Sequence, residues 1–396
     1  MSDLIGTGDH GRSANDPEIA SVTTDECDPR CAVAEELRHP LTISVVMPAY
    51  QAATMLPHSL SPLMALVASG EVLEVFVVDD GSSDMTALVA GSLGANVLRL
   101  ERNSGPAAAR NHALPWVSGD LVWFVDSDVV INEGGPDLIR RAFAEPTLGA
   151  IFGCYDDDPA DPHWFSRYKN LMHRYYHLRA PREVHSFWSG CGVVRRSVLQ
   201  ELGGFDALRY PRAMIEDIEL GYRISQAGHR IEIEPQLTGK HLKAWRMAMS
   251  LRLDIFDRAI PWARLLIAEE GPAGELNVGS AERFRAGFAV LSLLLLLGAV
   301  FAQVPAYLAF AAIGASLLFN VRLGLFLLRH GGLPVAIGGM LYHQFYYLYA
   351  SGAYLWCLVD LRLLHRGDRF KAVRMRQDEH SGQDAGAISQ SERMRS

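Results

Sequence analysis

Two carboxylates close an apolar run in this chain: residues 121–125, Leu-Val-Trp-Phe-Val, lead straight into Asp126-Ser127-Asp128. Side chains two apart on an extended segment point the same way, so Asp126 and Asp128 suit one hard cation, Mg2+ or Mn2+, while Ser127 faces elsewhere. A cation held there would in turn hold a diphosphate. A second acidic cluster, Asp79-Asp80-Gly81-Ser82-Ser83-Asp84, also follows an apolar run. A third, Glu216-Asp217, opens a helical pattern, where the positive end of a helix stabilises carboxylates and one of them can accept a proton. Taken singly, each has a plain alternative: solvated loop aspartates, a turn, or the ordinary preference of acidic residues for a first helical turn.

The elements that must position these groups alternate. Residues 43–48 form an apolar, β-branched strand stopped by Pro48, and Leu56, Leu60, Leu63, Met64 and Val67 recur at helical spacing. A strand over 72–78, a short strand over 96–100 and a helix start over 103–111, with Pro106 in its first turn, precede the strand that ends at Asp126. Such alternation predicts a mostly parallel α/β sheet with right-handed crossovers. The carboxyl ends of parallel strands share one edge, where ligands bind in open sheets. No Walker-type loop and no GxGxxG occurs, so acidic residues mark the strand ends where phosphate cradles would otherwise stand. A group with many hydroxyls plus a metal-bridged phosphate, such as a nucleotide sugar, answers that description.

Together, the 43–50 strand, Val77-Val78-Asp79-Asp80-Gly81-Ser82-Ser83-Asp84, the 103–111 segment and Phe124-Val125-Asp126-Ser127-Asp128 resemble family 2 glycosyltransferases of the GT-A, Rossmann-like fold, over roughly residues 41–245. The resemblance implies that Pro48, Tyr50, Asp79, Asp80 and Asp126 line the donor nucleotide pocket. It implies that Asp126 and Asp128 hold the metal, and that Asp217 is the general base with Glu216 supporting it. Ser189-Gly190-Cys191-Gly192 is similar to the acceptor-side segment of the family, which places Gly190 and Cys191, with Trp245, beside the acceptor. Processive synthases of the family carry a QxxRW box where this chain has Lys240-His241-Leu242-Lys243-Ala244-Trp245. His241 is then a candidate third metal ligand, although a lone histidine is usually not one. The aromatic run over 164–177 is expected to wall the acceptor cleft.

Length and charge bound the remainder. The chain has 396 residues, net charge −8 and pI near 6.0, which argues against a nucleic-acid binder. Its five cysteines form neither a disulfide framework nor a zinc spacing, which fits a reducing compartment. Residues 1–40 are polar, lack the apolar core of a secretory signal, and are expected to be disordered. Residues 286–321 carry no charge, and residues 331–359 form a second uncharged stretch. The first is too long for one span and has Pro305 where a hairpin would turn, so two short membrane helices are expected.

The positive-inside rule places Arg283, Arg285, Arg322 and Arg329 in the cytoplasm. The Tyr342–Tyr347 aromatic belt is expected at the interface or in a re-entrant piece, since one more crossing would put the basic tail outside. The expected organisation is a glycosyltransferase domain over 41–245, an amphipathic stretch over 246–282 that either lies at an anionic lipid interface or connects as a packed helix, membrane helices over 283–360 and a basic tail over 361–396. The expected enzyme is a multi-pass protein of the cytoplasmic membrane whose catalytic domain faces the cytoplasm. It would move a sugar from a nucleoside-diphosphate sugar to a lipid-linked or glycan hydroxyl, with no nucleic-acid partner. The alternatives are a polyprenyl-phosphate acceptor and, in another class, a non-catalytic nucleotide-sugar-binding scaffold. A nucleotidyltransferase would need a glycine-rich basic loop after the first strand, which Ala49-Tyr50-Gln51-Ala52 does not supply.

Overall fold

The computed structural model describes residues 40–132, 134–268 and 279–364. The expected disordered N-terminal segment, with Cys27 and Cys31, and most of the basic tail lie outside the described residues. In chain order, β1 (Ile43–Ala49), α1 (Leu56–Ala68), β2 (Glu74–Asp79), α2 (Thr86–Ser92), β3 (Asn96–Arg99), α3 (Pro106–Ala113) and β4 (Leu121–Val125) form the predicted alternating unit. It continues through β5 (Val129–Ile131), α4 (Gly135–Ala142), β6 (Leu148–Tyr155), α5 (Trp164–Arg179), β7 (Glu183–Val184), β8 (Cys191–Arg195), α6 (Arg196–Leu202), α7 (Glu216–Gln226) and β9 (Arg230–His241).

The sheet is mixed, in the order β3-β2-β1-β4-β8-β6-β9-β5, with β7 beside β9. Its first four strands are all parallel, and β8 then runs antiparallel to β4. From β1 the chain moves outward to β3 and returns to place β4 on the other side of β1. That reversal opens a crevice at the carboxyl ends of β1 and β4. Because β4 lies inside the sheet, both its faces must be apolar, and all five of its residues are buried. Trp123 and Val125 pack with α1 residues on one face. Val122 and Phe124 pack with Phe187 and Leu220 on the other.

Beyond β9 the chain is helical: α8 (Met247–Leu253), a π-helical turn (Asp254–Ala259), α9 (Ile260–Ala268), α10 (Ser280–Val300), α11 (Ala306–Phe319), α12 (Val321–Gly331) and α13 (Leu333–Arg362). Among the described residues only α10 is by itself long and apolar enough to cross a bilayer. The 14-residue α11 reaches that length only jointly with α12, from which it is bent by 62°. In place of the expected pair of short spans there is therefore one helix of spanning length and a bent helix pair. The expected re-entrant piece is instead a continuous helix of 30 residues, α13.

Three residues of its aromatic belt turn inward, Tyr342, His343 and Tyr347, while Phe345 between them is exposed. The reason is polar as well as apolar. His343 meets Tyr168 at 2.9 Å and Tyr176 at 3.2 Å, and Tyr347 donates to Glu282 at 2.6 Å, so α13 is fastened to α5 and α10. Three connector arginines pair with protein carboxylates: Arg246 with Asp161, Arg258 with Asp254, and Arg264 with Asp360.

Candidate active site

The carboxyl edge of the sheet is shaped by two turns. Gly81 takes φ +69°, and a Cβ there would lie 2.5 Å from the Arg102 carbonyl carbon, so the turn after β2 can pack against the segment leading into α3. Asp80 fastens that segment by accepting from the Ser104 and Gly105 amides at 2.7 and 2.9 Å. Gly105 (φ +88°) lies against Pro211, and Pro106 then opens α3. One turn further on, α3 delivers Arg110.

Arg110 is the hub of the site. Its side chain is 3% exposed; Nη2 donates to Asp126 Oδ1 at 2.7 Å and Nη1 to Glu216 Oε1 at 3.2 Å. A buried guanidinium bridging two carboxylates keeps like charges in one cleft without mutual expulsion. Glu216 also accepts from the Met214 amide at 2.8 Å, tying in the loop before α7.

Asp217 follows at the start of α7. It accepts from the Ser189 amide at 3.2 Å and from the Ile218 amide at 2.8 Å. Burial, with Glu216 adding to it, pushes the Asp217 carboxyl up to about 6 against the pull of Arg110. A carboxyl poised there is ionised near neutral pH and still basic enough to take a proton.

The metal-side residues come from the end of β4 and the end of β9. His241 Nε2 stands 3.6 Å from Asp128 Oδ2, and its ring stacks on Tyr155 at 4.3 Å between centroids. Burial alone would raise the Asp128 carboxyl, but His241 and Lys243 outweigh it and hold it below its usual value. Asp126 is raised by burial, despite Arg110 and with Asp128 contributing. Among the described residues no three His, Cys, Asp or Glu side chains are grouped as a metal site: Asp126 is turned to Arg110 and Asp128 to His241. Even so, a carboxylate and an imidazole fit Mg2+ or Mn2+, and the buried His241 Nδ1 has no partner.

These groups line one cavity of about 1090 Å3, together with Pro48, the half-exposed Tyr50 and Asp80. Lys169, Met172, His173, Tyr176 and His177 of α5 also line it. Three expected residues lie elsewhere. Asp79 accepts from the Ser82 amide at 3.0 Å and pairs with Arg99 at 3.2 Å, outside the cavity lining. Cys191 sits opposite Val125 in the core, where burial pushes its thiol up to about 12. Gly190 is likewise absent from the lining, and its carbonyl accepts the Asp126 amide at 3.1 Å. The neighbouring Trp188 and Ser189 face the cavity instead. Sequence reasoning assigned no role to Arg110, although a single cation in an alanine-rich helix was a signal.

Two family models match the chain: glycosyl transferase family 2 over residues 44–203 and glycosyl transferase family 21 over residues 177–377, about half of the chain. A pre-mycofactocin glycosyltransferase of Mycobacterium tuberculosis is 33% identical over 185 residues, covering 44% of this chain and 38% of that protein. An N-acetylglucosaminyltransferase of Mesorhizobium japonicum is 29% identical over 248 residues, covering 56% of this chain and 55% of that protein. The chain thus spans 38% to 55% of the length of these curated relatives. Among solved structures, mannosyltransferase PcManGT from Pyrobaculum calidifontis, in complex with GDP-Man and Mn2+, aligns over 81% of this chain and 88% of that one, with TM-score 0.49 and 18% identity.

Proposed function

Because the chain belongs to the family 2 glycosyltransferases, with a family 21 match across its second half, we propose that it is a membrane-anchored, inverting enzyme. It moves a sugar from a nucleoside-diphosphate sugar to a hydroxyl on a glycolipid or lipid-linked envelope glycan. The observation that carries this reading is the extent of the cavity. One space is lined both by Asp126, Asp128 and Asp217 and by Gly287, Val290 and Leu355 of α10 and α13. A lipid bearing a sugar-accepting hydroxyl has that same polarity, and α10 is the helix suited to a bilayer.

In the proposed mechanism Asp217 takes the proton of the acceptor hydroxyl. The acceptor oxygen bonds to the anomeric carbon as the bond to the diphosphate breaks, its electron pair remaining on the departing phosphate oxygen. One displacement inverts the anomeric centre. Arg110 holds Asp126 and Glu216 in place, while Trp188, Tyr155 and His173 form an aromatic wall that excludes water from the reacting carbon. A divalent cation held by Asp128 and His241, with Asp126, would supply compensation for the diphosphate charge.

A polyprenyl phosphate is already anionic and would leave Asp217 without a proton to take, so the Glu216-Asp217 pair favours a hydroxyl. The test is to incubate the full-length protein in vesicles with labelled nucleotide sugars, a membrane lipid extract and Mn2+. Metal-dependent nucleoside diphosphate release with label in the organic phase supports the reading. Label confined to a water-soluble glycan excludes the lipid acceptor, and binding without any product leaves a scaffold.

A further inference from the structure

The mechanism above leaves a buried carboxylate of the cavity without a task. Glu282, in the first turn of α10, is 8% exposed and lines the same space as Asp217. The donors around it converge on it. Tyr347 reaches its Oε2 at 2.6 Å, the shorter of that hydroxyl's two contacts, and Tyr176 donates to the same oxygen at 3.1 Å. Arg285 pairs with Oε1. Since the single proton of Tyr176 is spent on Glu282, His343 Nε2, 3.2 Å away, donates to the Tyr176 oxygen. Side chains of α5, α10 and α13 thus hold Glu282 as a pure acceptor, which is its ionised form. A carboxylate has about four acceptor sites, and Glu282 accepts no further hydrogen bond among the described residues, so Oε1 keeps a site for a ligand. Ionisable side chains on helices suited to a bilayer are costly and are kept where they serve a function.

Glu282 stands between the base and the apolar lining. On α10 it is followed at helical spacing by Ala286, Gly287 and Val290, so the lining face of this helix begins polar and turns apolar within about 12 Å. On α5, Tyr176 lies about one turn from His173, whose ring is 4.5 Å from that of Trp188. The next residue, Ser189, donates its amide to Asp217. We infer that Glu282 is a specificity-determining residue for the acceptor: it receives a hydrogen bond from a non-reacting hydroxyl or amide N–H of an uncharged lipid headgroup, whose reacting hydroxyl goes to Asp217. The inference rests on the lipid-hydroxyl reading above and narrows it to neutral headgroups. A lipid phosphate at this level would set a second anion against a carboxylate whose cation, Arg285, is already paired. Arg283, which also lines the cavity, is the cation that would favour such an anion, so both kinds of headgroup enter the test.

Full-length protein in vesicles with Mn2+ and labelled nucleotide sugars is given the neutral and the anionic fraction of a membrane lipid extract separately. The wild type should label the neutral fraction. Glu282→Gln should raise the amount of that fraction needed for half-maximal transfer by roughly tenfold or more, the effect of losing a hydrogen bond to a charged group. Its maximal rate should change less, and its affinity for nucleoside diphosphate should stay that of the wild type. Because Gln leaves Arg285 unpaired, the double variant Glu282→Gln/Arg285→Gln removes the whole pair; it should recover thermal stability while the raised acceptor requirement persists. A requirement that returns to the wild-type value in the double variant, or never moves in the single one, makes the carboxylate structural and overturns the inference. Label chiefly in the anionic fraction also overturns it while leaving a lipid acceptor in place. Label in neither fraction removes the lipid reading itself, and this inference with it.

Discussion

Arg110 donates to Asp126 at 2.7 Å from a side chain that is 3% exposed, and through this bond the helix after β3 holds the end of β4. The same guanidinium reaches Glu216, so Arg110→Met leaves two carboxylates facing one another without their cation. Breaking such a buried pair costs about 3–5 kcal/mol. Thermal or denaturant unfolding in detergent should show that loss, with Arg110→Lys recovering part of it. A variant as stable as the wild type would mean that the carboxylates are neutral or solvated.

The acid limb of the transfer reaction follows from Asp217. Its carboxyl is raised to about 6, and only the ionised form accepts a proton, so kcat/KM should rise as pH increases through about 6 and level off above it. Glu216→Gln removes the like charge that helps to raise Asp217 and should move the limb to lower pH. Arg110→Lys tests the opposite influence: a weaker hold on the charged form moves the limb upward. A limb that stays in place in both variants would dissociate it from Asp217.

Metal affinity reads the Asp128 and His241 pair. His241→Ala should raise the Mn2+ concentration needed for half-maximal nucleotide binding by about 10-fold or more. Nucleotide binding indifferent both to this change and to chelator would remove the divalent cation from the account.

The part of the cavity lining that α10 supplies has its own probe. Gly287 lines it and has no atom within 4 Å of where a Cβ would stand, so Gly287→Phe fills space without a backbone clash. The variant should lose roughly tenfold or more in kcat/KM for a long-chain acceptor, while its affinity for nucleoside diphosphate stays that of the wild type. Equal activity with long and short acceptors in both proteins would place the lipid elsewhere.

Much of this arrangement was legible in the chain. The apolar run before Asp126 could only be an interior strand, and its alternation put Asp126 and Asp128 toward one crevice. The same alternation, applied to Asp79-Asp80, sends neighbouring side chains opposite ways, so only one of them could enter the site. Asp80 faces the cavity and Asp79 pairs with Arg99. Cys191 follows the same rule on β8. The bond from Arg110 to Glu216 joins residues 106 apart, a pairing no local pattern reveals. Nor does the aromatic run of α13 announce its partners: it has the composition of an interfacial belt, and only tertiary contact with Tyr168, Tyr176 and Glu282 draws His343 and Tyr347 inward.

The most direct measurement follows a labelled sugar in vesicles carrying either the wild type or Asp217→Asn. The account predicts that the wild type moves label into the organic phase. Asp217→Asn should bind nucleoside diphosphate as tightly and yet transfer at least about 100-fold more slowly. Transfer by Asp217→Asn at the wild-type rate, or no lipid-borne label from the wild type with any donor, would contradict it.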